Sequence, residues 1–417
     1  MRGLSRKHLA RWGGALLLLA VIILLVLYGM QRGTIAQLVT EEIRENNFNQ
    51  ERARDALHSL KPQTINVNGD QHQLNAPEGF SVSVYAANLG SPRKIAFDTE
   101  DNLYVTDAEE GHVVVVEGES SQQKTSVVDQ NLNAPHGIAW HEGTLFVATE
   151  RKIISYSGVA NDGSYNEKSI RVSDLPGGGE NPLKTLRIGP EGDTLFVSVG
   201  ADCNVCDDNV QERGVLMAYD LSGANERVYA QGLKNMLGFE VRSVEDTQEI
   251  WGVDRGREHL GKDIPPAELN RIEPGSHYGW PFCYGDGIAD PEFPDRTNFC
   301  RNKTKSPEYQ LPAHSKPWGL AFVTNAAQST YPKKLQNAVI MAYHGSNERT
   351  VPTGYKLEWL NIAKDSAQPV TLVSGWLTEQ GNVWGTPVAL EFAPNGDLYV
   401  SDDKAGVVYR ITYEAEE

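Results

Sequence analysis

Residues 390–403 read LEFAPNGDLYVSDD, two short apolar runs joined by the turn Pro394-Asn395-Gly396. Asn-Gly is favoured in tight hairpin turns because both residues adopt positive φ angles at low cost. The flanking runs are rich in branched and aromatic residues, which favour strands. This segment is therefore predicted to be a β-hairpin.

The same pattern occurs five more times, with an acidic or glycine-containing turn between two runs: IAFDTEDNLYVTD (95–107), GIAWHEGTLFVATE (137–150), LRIGPEGDTLFVSVG (186–200), GFEVRSVEDTQEIWGVD (238–254) and GLAFVTNAAQSTYPKKLQNAVIMAYHG (319–345). A spacing of roughly 40 to 70 residues suits four-stranded propeller blades with insertions. A two-sheet sandwich does not explain six copies of one hairpin. We therefore expect an all-β fold, a six-bladed β-propeller over residues 76–417.

A closed propeller needs a strand that joins its last blade to its first. The segment from Phe80 to Tyr85, FSVSVY, alternates with a period of two and precedes the first repeat. It is predicted to pair near Val407 to Tyr413 and remove the open sheet edge.

Rare residue types are concentrated in one stretch that lies between two strand-like runs. It comprises residues 230–241, AQGLKNMLGFEV, and residues 250–283, IWGVDRGREHLGKDIPPAELNRIEPGSHYGWPFC. Asp254 and the charged loop after it follow the end of an apolar run, where binding groups are often presented. Gly256 lets the backbone approach a ligand, and a carbonyl there suits a hard cation such as Ca²⁺. A solvated turn is the alternative for any single loop, but the whole stretch is predicted to be a functional site.

Several motifs in this stretch, GLKN, DRGRE-LGKD-PPAELNRI and GSHYGWPFCYG, resemble the glucose/sorbosone dehydrogenase family. The resemblance continues through GPEGDTLFVSVGADCNVC (189–206), AHSKPWGLAF (313–322) and HGSNERTVPTGYKLEWL (344–360), and spans about residues 76 to 413. Members of that family are six-bladed propellers that carry pyrroloquinoline quinone (PQQ) and Ca²⁺. The resemblance implies a PQQ-dependent dehydrogenase of the soluble type, acting on a sugar or sugar aldehyde.

The resemblance also implies site residues. In the family, Ca²⁺ polarises the ortho-quinone of PQQ, basic side chains hold its carboxylates, and a histidine takes the substrate hydroxyl proton. Gly256 and Arg257 match the positions whose backbone carbonyls meet Ca²⁺. The residues implied to bind the cofactor are Arg93, Lys234, Asn235, His314, Arg349 and Thr386. Lys234 and Thr386 stand at positions where the family has arginine.

The position of the family's catalytic histidine, eight residues before Gly189, is Asn181 in this chain. Asparagine cannot act as a general base. The neighbouring Glu180 is therefore predicted to replace it, and the alternatives are a histidine from another loop: His136, His259 or His314.

The N-terminal region carries an uncharged apolar run, GGALLLLAVIILLVLYG (13–29), after four basic residues: Arg2, Arg6, Lys7 and Arg11. The run is long enough to span a bilayer, and clustered positive charge stays cytoplasmic. A cleaved signal peptide is less favoured because no small-x-small cleavage site follows. We expect a cytoplasmic stub and inner-membrane anchor over residues 1–33, a partly helical linker over 34–75, and the propeller in the periplasm.

The chain has four cysteines and a net charge of −17. An even count in an exported chain suggests two disulfides, most simply Cys203 with Cys206 and Cys283 with Cys300, although three connectivities exist. A zinc site is less favoured because the two pairs lie in different repeats. The acidic balance argues against a nucleic-acid partner.

These observations favour a membrane-anchored periplasmic quinoprotein that oxidises a sugar and passes electrons to a periplasmic or membrane acceptor. The alternative is a propeller that has lost redox chemistry and binds carbohydrate or protein. A third hypothesis, a metal-dependent lactonase, has less support because no acidic metal-ligand motif is recognisable.

Overall fold

A computed structural model describes residues 60–118, 123–206, 212–346, 349, 351–363 and 367–414. The predicted anchor (1–33) and the first part of the predicted linker (34–59) lie outside these residues. In the part of the chain that is described, no helix is long and apolar enough to cross a membrane. The described residues form a six-bladed β-propeller, which confirms the predicted all-β fold.

The described residues begin with three strands that complete later blades: β1 (Leu60–Val67), β2 (Asp70–Pro77) and β3 (Phe80–Ala86). Blade 1 contains β4 (Pro92–Phe97), β5 (Leu103–Asp107), β6 (His112–Glu117) and β7 (Lys124–Asp129). Blade 2 contains β8 (Gly137–His141), β9 (Thr144–Ala148), β10 (Ile153–Ser157) and β11 (Glu167–Val172). Blade 3 contains β12 (Lys184–Ile188), β13 (Thr194–Val199), β14 (Val215–Asp220) and β15 (Arg227–Gln231).

Blade 4 contains an insertion between its third and fourth strands. Its first three strands are β16 (Gly238–Val244), β17 (Thr247–Asp254) and β18 (Ala267–Ile272). The insertion holds the hairpin of β19 (Cys283–Tyr284) and β20 (Ile288–Ala289), a 3-10 turn (Pro294–Arg296) and helix α1 (Thr297–Lys303), and β21 (Tyr309–Leu311) completes the sheet.

Blade 5 contains β22 (Pro317–Phe322), helix α2 (Asn325–Thr330), a 3-10 turn (Lys333–Leu335), β23 (Ala338–Tyr343), β24 (Lys356–Asn361) and β25 (Val370–Ser374). Blade 6 contains β26 (Pro387–Phe392), β27 (Leu398–Asp402) and β28 (Val407–Tyr413). The six hairpins predicted from the repeat are the first two strands of the six blades.

The core consists of apolar layers between neighbouring blades. In β5, Leu103 and Val105 pack toward blade 6, whereas Tyr104 packs toward blade 2, and all three are buried. A strand buried on both faces needs a continuous apolar run, and burying each large side chain contributes about 1.5–3 kcal/mol. This packing explains why strands such as β5, which lie between two neighbouring blades, do not alternate polar with apolar residues.

The ring is closed by β3, which pairs antiparallel with β28 in blade 6. The register places Phe80 opposite Tyr413 and Ser83 opposite Arg410. The predicted closing strand is confirmed.

We expected a linker over residues 34–75. Its last part, residues 60–75, instead forms β1 and most of β2. Asn68 and Gly69 both have positive φ angles, 53° and 98°, which suit a tight hairpin turn. Asn75 pairs with Ser374 of β25, so the hairpin extends blade 5 to six strands. The Asn-Gly turn indicated this hairpin, but the polar residues around it obscured the strand pattern.

Candidate functional site

The candidate residues meet at one end of the propeller, here called the upper face. Neighbouring antiparallel strands run in opposite directions, so the inner strand of each blade begins where the second strand ends. The loops before β4, β8, β12, β16, β22 and β26 therefore lie beside the loops after β5, β9, β13, β17, β23 and β27. Six blades contribute side chains to this face.

Asp254, at the end of β17, orients the GLKN loop. Its carboxylate accepts hydrogen bonds from the backbone N–H groups of Lys234 at 2.6 Å and Asn235 at 2.9 Å. Asp107 and Asp402 end the second strands of blades 1 and 6 and likewise accept loop N–H groups. An aspartate at the end of the second strand thus stabilises the neighbouring loop in three blades. At the candidate site, Asp254 has this role and positions Lys234 and Asn235.

Two buried lysines, Lys184 of blade 3 and Lys234 before blade 4, lie at the upper face. The Nζ atom of Lys234 donates to Oδ1 of Asn204 at 2.8 Å, and that of Lys184 donates to the Pro182 carbonyl at 2.7 Å. Burial lowers the pKa of each lysine to about 8. Among the described residues neither ammonium has a carboxylate partner, so this region suits an anionic ligand.

Arg255 adds a guanidinium near Lys234. It lies 3.2 Å from Glu258, and its Nε is buried without a hydrogen-bond partner in the described part of the chain. A buried N–H of this kind costs free energy unless an acceptor is bound. The orphaned donor supports binding of a ligand with oxygen acceptors.

Asn181, at the position of the family's base, has both ends of its amide engaged. Its Nδ2 donates to the Ala201 carbonyl at 2.7 Å, and its Oδ1 accepts from Arg255 at 2.8 Å. The neighbouring Glu180 is exposed, and its backbone N–H donates to the Asp202 carbonyl at 2.8 Å. Asn181 is therefore a structural residue, and the catalytic role of Glu180 remains a prediction.

Arg93, Trp318, His344, Thr386 and Asp403 form a cluster at the upper face of blades 1, 5 and 6. Asp403 accepts from the Thr386 hydroxyl, lies 2.6 Å from Nη1 of Arg93, and lies 3.0 Å from Nε2 of His344. The His344 ring stacks on Trp318 with ring centres 3.8 Å apart. Arg93 thus places a guanidinium beside Thr386, the position where the resembled family has an arginine.

His136 precedes β8 and is fully buried. Its Nδ1 lies 3.2 Å from the Lys184 carbonyl, so Nδ1 carries the proton, and Nε2 is buried with no partner among the described residues. Burial, reinforced by the charges of Lys94 and Arg93, holds the pKa of His136 well below its ordinary value. His136 is therefore a neutral, buried imidazole at the start of blade 2.

Two predicted cofactor ligands lie in loops tied to residues 261–263. The Nε2 atom of His314 lies 2.7 Å from the Gly261 carbonyl, and Arg349 donates to Asp263 at 2.7 Å. His259, an alternative base, is exposed in the same region. These contacts tie the loops of His314 and Arg349 to residues 261–263, and no described hydrogen bond or ion pair joins either side chain to Lys234 or Arg255.

The proposed Ca²⁺ position lies between these loops and β17. Gly256 has a φ of 64°, a conformation that glycine adopts readily. The Arg257 side chain binds both oxygens of Asp290, at 2.7 and 2.8 Å. Within the described residues, no group of three His, Cys, Asp or Glu side chains is placed to hold a metal.

Both predicted disulfides, Cys203–Cys206 and Cys283–Cys300, are present. The first closes a loop around Asn204, whose Oδ1 accepts from Lys234 and from the Glu258 backbone N–H at 2.7 Å. Sequence reasoning missed Asn204, Arg255 and Asp403. Comparison of the repeats could have indicated Arg255 and Asp403, because each directly follows a repeated structural aspartate.

Comparison with known proteins identifies similar propellers. A family model described as TrAA12-like matches residues 74–298 and 282–414. A pyrroloquinoline quinone-dependent sugar dehydrogenase of Hypocrea jecorina is 23% identical over 429 aligned residues, covering 86% of this chain and 94% of that protein.

Solved structures of similar fold include two carbohydrate-active oxidoreductase structures. The iodide structure of the Trichoderma reesei carbohydrate-active enzyme of family AA12 has a TM-score of 0.68 and 21% identity, covering 81% of this chain and 97% of that one. The holo form of the pyranose dehydrogenase PQQ domain from Coprinopsis cinerea has a TM-score of 0.67 and 20% identity, covering 82% and 97%.

Proposed function

The chain belongs to the TrAA12-like family, and on that premise we propose that it is a PQQ-dependent oxidoreductase that oxidises a sugar or sugar aldehyde. The observation that carries the proposal is the pair of cationic side chains Lys234 and Arg255 at the upper face: Lys234 is buried without an ion-paired carboxylate among the described residues, and Nε of Arg255 is buried without a hydrogen-bond partner there. The sugar dehydrogenase of Hypocrea jecorina supports the same substrate class.

The residues present fit PQQ, which carries carboxylates and quinone oxygens. Lys234 and Arg255 would hold its carboxylates by charge-assisted hydrogen bonds, and Arg255 has an unpartnered N–H to donate. Asn235, held in place through its backbone by Asp254, offers an amide beside them. When bound, PQQ supplies an ortho-quinone that accepts two electrons as hydride.

We also propose Ca²⁺ as a second group at the site. Its protein ligands would be the backbone carbonyls of Gly256 and Arg257, which are hard oxygen donors. The Arg257 side chain is held by Asp290, which fixes the backbone at this point.

The proposed location is the periplasmic face of the inner membrane. Basic residues before the apolar run 13–29 favour this orientation, and two disulfides suit an oxidising compartment. Electrons would then pass to a periplasmic or membrane acceptor. Protease added to spheroplasts should digest the propeller, whereas protection would contradict the orientation.

The test of the function uses the full chain in detergent, loaded with PQQ and Ca²⁺ and mixed with a panel of aldoses and sugar aldehydes. We expect bound-cofactor absorbance and reduction of an artificial electron acceptor by at least one sugar. Absence of both at saturating cofactor would contradict the proposal.

A second candidate is a propeller that binds carbohydrate or protein without redox chemistry. It is favoured by one observation, that the position of the family's base is an asparagine locked by Arg255 and Ala201. Sugar binding in the same panel, with cofactor absent or never reduced, would support this alternative.

A further inference from the structure

We propose that His344, held by Asp403, accepts the substrate hydroxyl proton in this protein, an inference that rests on the proposed oxidoreductase function. The pair lies on the upper face, where His344 follows β23 of blade 5 and Asp403 follows β27 of blade 6. It would replace the base that is missing at Asn181.

The geometry determines which nitrogen is available. Nε2 of His344 lies 3.1 and 3.0 Å from the two carboxylate oxygens of Asp403. Burial acts to raise the pKa of Asp403, but hydrogen bonding and charge from His344, with Arg93 and Thr386, hold it below its ordinary value. An ionised carboxylate only accepts hydrogen bonds, so Nε2 carries the proton and Nδ1 has the lone pair.

The lone pair on Nδ1 is available to a ligand. Within the described chain, Nδ1 of His344 has no hydrogen-bond partner, and 17% of the side chain is exposed. Stacking on Trp318 at 3.8 Å fixes the plane of the ring. A fixed ring, an open lone pair and a carboxylate behind the imidazole are the arrangement of the histidine base in a catalytic triad.

The surrounding charges keep the imidazole neutral in the resting protein. Burial lowers the pKa of His344 despite the opposing effect of Asp403, and the positive charges of Arg93 and Lys316 act in the same direction as burial. Neutral histidine is the form that can take a proton. Once it is protonated, the adjacent carboxylate of Asp403 stabilises the imidazolium.

Two orphaned donors beside the pair indicate that a ligand with acceptor oxygens belongs there. Nε of Arg93 and Nε1 of Trp318 are buried and have no hydrogen-bond partner among the described residues. The Arg93 guanidinium carbon lies 5.5 Å from the centre of the Trp318 ring, so both donors are close to His344. A bound sugar or cofactor oxygen would satisfy them.

The other candidate bases are less well placed. Nε2 of His314 is engaged with the Gly261 carbonyl, and His136 is fully buried. Glu180 is exposed, whereas the ring of His344 is stacked on Trp318 and held by Asp403.

In the proposed reaction, His344 accepts the proton of the substrate hydroxyl and the hydride passes to the quinone cofactor. The O–H bond of the substrate breaks and its proton moves to Nδ1, while the oxygen lone pair forms the carbonyl. The C–H bond breaks with its electron pair, and hydride leaves for the quinone cofactor. In total the substrate loses two protons and two electrons, one proton to His344 and the other, with both electrons, as the hydride.

The test compares His344→Gln, Asp403→Asn and the matched control His141→Gln. His141 also lies beside a carboxylate, Glu142 at 3.9 Å, but at the opposite end of blade 2. We expect His344→Gln to slow cofactor reduction in a single turnover by about 100-fold or more, with PQQ affinity changed less than about threefold. His141→Gln should match the parent.

A readout that does not depend on turnover is the ¹⁵N spectrum of His344. The parent should show a proton on Nε2 and a lone pair on Nδ1. Asp403→Asn removes the charge that stabilises the imidazolium, so it should lower the His344 pKa and move the acidic limb of the rate profile to lower pH.

The outcomes separate this inference from the proposed function. Loss of PQQ binding in the parent protein would contradict the function itself. Normal PQQ binding with an unchanged rate in His344→Gln, or a proton on Nδ1 in the parent, would overturn the role of His344 and leave the function standing. A parent that binds PQQ but reduces it with no sugar would contradict both.

Discussion

The guanidinium of Arg255 donates to Oδ1 of Asn181 at 2.8 Å and links the loop after β17 of blade 4 to the loop before β12 of blade 3. The other end of the Asn181 amide donates to the Ala201 carbonyl. A residue that stands at the position of the family's base has thus become a bridge between two blades.

Replacing Asn181 with leucine should destabilise the fold. The substitution leaves Ala201 and Arg255 with unpartnered buried groups, which costs about 1–3 kcal/mol each. Urea unfolding should show a lower midpoint for Asn181→Leu, whereas the exposed Asn298→Ala in α1 should differ little from the parent. Equal midpoints would show that the bridge contributes nothing to stability.

Replacing Lys234 with methionine should weaken PQQ binding by about tenfold or more, because a charge-assisted hydrogen bond contributes about 1.5–3 kcal/mol. Lys262→Met, in the exposed loop of the same blade, is the matched control. Titration by calorimetry measures both variants. The same affinity in the two variants would remove Lys234 from the cofactor site.

PQQ affinity should also depend on pH through Lys234. Burial lowers its pKa to about 8 in the free protein, so the ammonium is present below that pH and is lost above it. An anionic ligand prefers the charged form, so affinity should be highest near pH 7 and fall as pH rises through 8 to 9. Affinity that rises over this range would contradict the assigned charge.

Glu268 should make the fold less stable as pH rises. It lies opposite Asp254 in the sheet of blade 4, and burial, with the charge of Asp254, raises its pKa to about 8. The folded protein holds a proton that the unfolded chain releases near pH 4.5, so stability falls by up to about 1.4 kcal/mol per pH unit between these values.

Glu268→Gln removes this titration and should flatten the dependence, whereas the exposed Glu191→Gln should not. Urea unfolding from pH 5 to pH 9 measures the effect. A slope that persists in Glu268→Gln would assign the titration to another group.

The two disulfides should have different effects. Serine at both Cys283 and Cys300 should lower stability by about 3 kcal/mol, because the bond closes a loop in the blade 4 insertion. Serine at both Cys203 and Cys206 should instead weaken PQQ binding, because that loop holds Asn204 against Lys234. Binding measurements and unfolding curves on both double variants would distinguish these effects.

Local patterns predicted most of the fold. The hairpin turns, as at Asn395-Gly396, and the alternation in β3 are short-range signals, so six blades and their closure followed from them. The hairpin of β1 and β2 was missed because its strands are polar on one face, and its apolar residues pack against blade 5, which is distant in sequence.

The site was less predictable because its geometry depends on contacts between blades. Family motifs indicated Lys234, Asn235 and Thr386, but no local signal shows that Arg93 of blade 1 reaches Asp403 of blade 6. The pairing of Asn204 with Lys234 joins loops 30 residues apart. Such partners become visible only when the ring is closed.

The most direct test of the account is an equilibrium titration of the full-length protein with PQQ in the presence of Ca²⁺, followed by bound-cofactor absorbance and heat. We expect one PQQ per chain in the parent, weaker binding in Lys234→Met and unchanged binding in Lys262→Met. No saturable binding by the parent, or the same affinity in all three proteins, would contradict the claim that the upper face of this propeller is a PQQ site.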